Sequence, residues 1–218
     1  MKSLSIACAL ALGLAFAASA PAALAQPAKA AASAPATAPA APKLHEALRS
    51  LWHGHIVTTR DYDIAVHAGN QAKADAAAKA VVANAKQISN AVAGFYGKAA
   101  GDGLLKLLAG HWSGVKALTD TTHAGNKAGE QKAMDELASN ATAIAKFLAG
   151  ANPNWSEGTL QGALMMHVND HKTQIDEMMS NAPAAEQAKS WTEMQNHMNM
   201  IADVLADGIA KQFPHKVH

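Results

Sequence analysis

The chain has 218 residues, with 18 basic and 17 acidic side chains, one cysteine and an aromatic share of 5%. A formal net charge of +1 gives no electrostatic footing for nucleic acid or an anionic membrane as the main partner. The lone cysteine, Cys8, excludes an intrachain disulfide, a multi-thiolate metal site and paired-thiol haem attachment.

Residues 1–25 read as a secretory signal: Lys2 supplies the charge, an apolar run extends from Leu4 to Ala18, and Ala23-Leu24-Ala25 is a small-x-small cleavage site. The run is too short to span a bilayer, so no membrane span is expected and the protein should be periplasmic or secreted. After cleavage no cysteine remains. Residues 26–42 are almost entirely Ala, Pro, Lys, Ser and Thr, the composition of a flexible linker. A single helical domain is expected over 43–213.

From Lys43 onward the apolar residues Leu44, Leu48, Leu51, Trp52, Ile56 and Val66 recur at a helical period. The same period predicts helices near 72–96, 102–124, 130–150, 156–180 and 184–212. Gly69, Gly97, Gly125 and Gly150 are the expected C-terminal caps, Asn181 ahead of Pro183 a start, and Phe213-Pro214 the last stop. Short links make successive helices antiparallel neighbours.

The helices carry an internal repeat of 56 residues: His55, His111 and His167 keep that interval, as do Asn84, Asn140 and Asn196. Leu48, Leu104 and Leu160 keep it too, and the turns His67-Ala68-Gly69-Asn70 and His123-Ala124-Gly125-Asn126 match. The fold class is therefore all-α, a six-helix bundle of three tandem hairpins with repeats near 43–98, 99–154 and 155–213. In helix three, Leu104, Leu108, His111, Val115 and Leu118 form a core stripe, so the repeated histidines face inward. On the return helices, Val81-Asn84-Ile88, Leu137-Asn140-Ile144 and Asn196-Met200-Val204 place each asparagine opposite its histidine.

Three imidazoles at one level, each oriented by an asparagine, have the donor chemistry of a zinc or copper site. The expected ligands are His55, His111, His167 and His197, with His171, Met194 and Met198 as secondary candidates and Asn84, Asn140 and Asn196 behind them. Copper or zinc ranks ahead of nickel. Two other readings stay open. The His–Asn layer can serve packing alone, in a structural or partner-binding bundle. An enzyme ranks third, since no Ser–His–acid or paired-carboxylate signature emerges.

Among the remaining histidines, His67 and His123 suit helix C-terminal turns, while His45, His53, His215 and His218 are expected to be solvated. A loose copper or nickel contact at the His215–His218 tail is a minor alternative. Only Arg49 and Arg60 are arginines. Antiparallel counting brings Asp203 to the level of Arg49, which predicts an ion pair clasping helix six onto helix one.

The segments Leu44-His45, Leu48-Arg49, Leu51-Trp52, His55 and Thr59-Arg60, then Asn152-Pro153-Asn154-Trp155, then Ala202-Asp203 through Lys211-Gln212-Phe213-Pro214, resemble a family of exported bacterial all-helical proteins. The resemblance implies the fold and export, and implies nothing about a ligand.

Overall fold

A computed structural model describes residues 41–217. The expected signal segment and all but the last two residues of the linker lie outside the described residues, as does His218. Six helices fill the described chain: α1 Pro42–His67, α2 Gln71–Tyr96, α3 Lys98–His123, α4 Lys127–Ala151, α5 Glu157–Met179 and α6 Ala184–Gln212. No strand occurs among the described residues. Each helix packs on its sequence neighbours, and α6 closes the ring onto α1. α1, α3 and α5 also touch one another, so they form the inner layer, and each even-numbered helix fills a seam between two odd ones.

Local chemistry sets the turns. α1 and α3 end on Gly69 and Gly125, at φ +64° and +66°, a left-handed conformation that glycine adopts without steric cost. Asn70 and Asn126 then cap the next helix by accepting from Lys73 N and Gly129 N, each at 3.0 Å. α5 ends the same way on Asn181, at φ +57°. There α6 starts only after Pro183, so the α5–α6 link has four residues where the other two turns have three. Gly97 alone separates α2 from α3, which begins at Lys98 rather than near residue 102. Gly150 caps nothing, because α4 continues to Ala151 and ends at the buried Asn152.

The extra residue changes the register of α6. The buried positions Ala133, Leu137, Ala141, Ile144, Ala145 and Leu148 of α4 correspond to buried Ser190, Met194, Met198, Ile201, Ala202 and Leu205 at an offset of 57, not 56. The expected stripe Asn196-Met200-Val204 is therefore turned outward: Asn196 is exposed, and Met200 and Val204 are 57% and 40% exposed. A helix advances about 100° per residue, so one inserted residue suffices to exchange one face for the next.

The expected clasp is present. Arg49 Nε donates to Asp203 Oδ1 at 2.8 Å, and a second guanidinium nitrogen donates to Oδ2 at 2.5 Å. His45 joins it, against expectation: it is buried, with Nδ1 at 2.9 Å from Asp203 Oδ1 and Nε2 at 3.0 Å from Asp207 Oδ1. Its position on the α1 face that meets α6 keeps it from solvent. Arg49 is half exposed, so its own contribution is small. Asp203→Ala should cost about 1–3 kcal/mol, more than Arg49→Ala, because it strips a partner from buried His45. Denaturant unfolding of the two variants checks the order.

At the same end of the bundle, buried Trp155 donates from Nε1 to the Val204 carbonyl at 3.2 Å and packs against Gly208. A β-carbon at Gly208 would overlap the indole ring. Gly208→Ala should therefore destabilise by about 1–3 kcal/mol despite its better helix propensity, which denaturant unfolding can measure.

Candidate metal centre

The inner helices each bring a histidine to the bundle axis. His55 on α1, His111 on α3 and His167 on α5 are all buried, with ring centroids 5.7, 5.5 and 5.6 Å apart, a nearly equilateral triangle. His171, one turn beyond His167, closes the group at 5.8 Å from His55, 5.7 Å from His111 and 4.4 Å from His167. One donor nitrogen from each of the four lies within 4.8 Å of all the others. The closest pair, His167 Nε2 and His171 Nε2, are 3.1 Å apart. Tetrahedral donors at a Zn–N distance of about 2.0 Å stand about 3.3 Å apart, a spacing this pair already has, while the remaining donors lie within 4.8 Å.

Burial sets the charge state. It pushes His55 down to about 3, aided by the neighbouring His111, and His111 down to about 4. His167 and His171 lie well below the ordinary imidazole range, first through burial and then through the surrounding histidines. At neutral pH all four rings are neutral, which is the form that ligates a metal.

The asparagines do not do what their spacing predicts. Asn84 Nδ2 donates to the Leu51 carbonyl and Asn140 Nδ2 to the Leu107 carbonyl, both at 3.0 Å. The reason is the glycine before each histidine: a β-carbon at Gly54 or Gly110 would fall 2.8 or 2.9 Å from the amide nitrogen, so its absence admits the amide to the α1 or α3 backbone. Among the described residues, no hydrogen bond joins His55, His111 or His167 to an asparagine. Asn84 Oδ1, Asn140 Oδ1, His111 Nε2 and His167 Nδ1 are buried without a partner.

The third hairpin differs further. Met166 stands where the others have glycine, and Asn196 faces solvent, so this pair contributes no amide tie. His197 takes the inward position instead, and its Nδ1 donates to Asp170 Oδ2 at 2.7 Å. It is buried but outside the four-histidine group, which corrects its expected role as a ligand, while His171 moves from secondary candidate to full member. The register shift explains why His197 rather than Asn196 faces inward, because the offset of 57 makes His197 the counterpart of Asn140. Met194 and Met198 are buried in the apolar core cluster.

A second polar layer was not anticipated. Asp63, two turns beyond His55, is buried and accepts from Thr119 Oγ1 at 2.7 Å; burial pushes its carboxyl up to about 7. The signal was present, since residues 63 and 119 also differ by 56. Arg60, beside it, stacks its guanidinium 4.7 Å from the centre of the Trp191 ring. No helix among the described residues is long and apolar enough to cross a membrane. Comparison with protein-family models, curated proteins and solved structures finds no match to this chain.

Proposed function

We propose that this protein is an exported, periplasmic or secreted, helical bundle that binds one copper or zinc ion through His55, His111, His167 and His171. The observation that carries the reading is the convergence of four buried, neutral imidazoles with donor nitrogens within 4.8 Å of one another. An all-nitrogen, thiol-free set suits zinc or copper and does not suit magnesium or calcium, which take oxygen ligands. The export signal, the tandem-hairpin origin of the bundle and its kinship with the exported helical family belong to the same proposal.

The competing reading, a structural or partner-binding bundle in which His–Asn pairs only fix packing, loses its central bond, because Asn84 and Asn140 spend their amides on backbone carbonyls. Elemental analysis of the tag-free, dialysed protein tests the proposal. One equivalent of copper or zinc per chain is expected. Replacing His55, His111, His167 and His171 together by alanine should abolish it, and unchanged binding in that variant would transfer the metal to another site.

A further inference from the structure

We propose a second ligand site, for a small apolar molecule the size of one aromatic ring, in a chamber about two helical turns from the histidine layer. The chamber has a volume of about 140 Å³. Leu48, Leu104 and Leu160, each seven residues before its helix's central histidine, line it from the three inner helices. Apart from Thr159, which is exposed, every side chain of the lining is apolar apart from the indole nitrogens of two tryptophans. One of these, Trp155, has already given its N–H to the Val204 carbonyl.

A water inside would thus lack the two to four polar partners that hold buried water in place. Dry apolar cavities of about this size accept benzene or xenon. Protein interiors otherwise pack to the density of organic crystals, so an unfilled space of this size forfeits dispersion contacts that a guest restores. A route in exists as well. Thr159 and Ala163 of α5 and Met200 and Val204 of α6 line the chamber while reaching the surface, and the last two are there because of the shifted register of α6. Trp52 is shared by the two sites: it lines the chamber and stands edge-on to His55, with ring centroids 6.0 Å apart.

The test titrates benzene into the full-length, tag-free protein in chelator, so its failure leaves the metal reading untouched. Saturable one-to-one binding is expected, with nuclear Overhauser contacts from benzene to the indole protons of Trp52 and Trp155. Ala163→Phe, which grows a ring into the chamber from its rim, should weaken binding at least tenfold. Absence of saturable binding to the wild-type protein would overturn the proposal, as would contacts confined to other residues or an undiminished affinity in a folded Ala163→Phe. If that variant fails to fold, the contacts in the wild-type protein decide alone.

Discussion

Saturating copper or zinc should raise the thermal unfolding temperature of the chelator-treated protein by about 8–16 °C, the shift that follows when free metal stands a thousandfold above Kd and adds about 4 kcal/mol. The ligands come from three helices, and His55 and His171 lie on helices near opposite ends of the folded chain, so the ion binds only when the bundle is assembled. That is the condition under which binding energy becomes folding energy. His111→Ala and His171→Ala should each lose most of the gain. His197→Ala should keep it, because His197 is held by Asp170 outside the group.

In chelator alone, His111→Ala should cost less than an ordinary core truncation. The ring it removes carries a buried Nε2 without a partner, which offsets the lost packing. An identical metal-induced shift in wild type and His111→Ala would refute a central site. No shift in either would leave the histidines a packing role.

The metal-free bundle should also be acid-labile, losing stability steeply between about pH 6.5 and 4. Each imidazole is neutral in the fold but titrates near 6.5 in the unfolded chain, so below that pH the unfolded state binds more protons and is favoured. His55 and His111, held down to about 3 and about 4, carry this through the whole window, and His167 and His171 act in the same direction. Asp63 acts oppositely. With its carboxyl raised to about 7, it is protonated in the fold before it is in the unfolded chain, so falling pH relieves its burial.

The four imidazoles outweigh the one carboxyl by the equivalent of three groups, an upper limit of about 4 kcal/mol per pH unit. Set against a usual domain stability of about 5–15 kcal/mol, this places the acid transition inside the window. Denaturant unfolding at pH 7, 6 and 5 in chelator measures it, and His111→Gln should flatten the slope by about 1.4 kcal/mol per pH unit. Equal stability at pH 7 and 4.5 would show that the rings are not held neutral.

The helix count, the glycine turns at Gly69 and Gly125 and the inward direction of His55, His111 and His167 were legible because apolar periodicity and glycine punctuation act locally. The Arg49–Asp203 pair was legible because antiparallel helices convert sequence distance into level. His171 was harder to rank, since its repeat counterparts Thr59 and Val115 do not ligate, and only the three-dimensional approach of α1 and α3 shows that a ring there meets theirs. The misreading of Asn196 had a detectable cue. Glycine precedes His55 and His111 but Met166 precedes His167, and the amide that needs the missing β-carbon is absent in that hairpin alone.

The four-residue link at 180–183 works as an indexing step for α6. Because each residue added before a helix turns its whole circumference by about 100°, the length of this surface turn selects which column of side chains α6 presents to the axis. With four residues the column is His197, Ile201 and Leu205; shortening the link by one would restore Asn196, Met200 and Val204, exchanging an imidazole for an amide and drawing two side chains away from the chamber rim. Length variation in a turn is ordinarily silent in a helical bundle. Here it would rewrite the chemistry of the interior without altering a single interior codon.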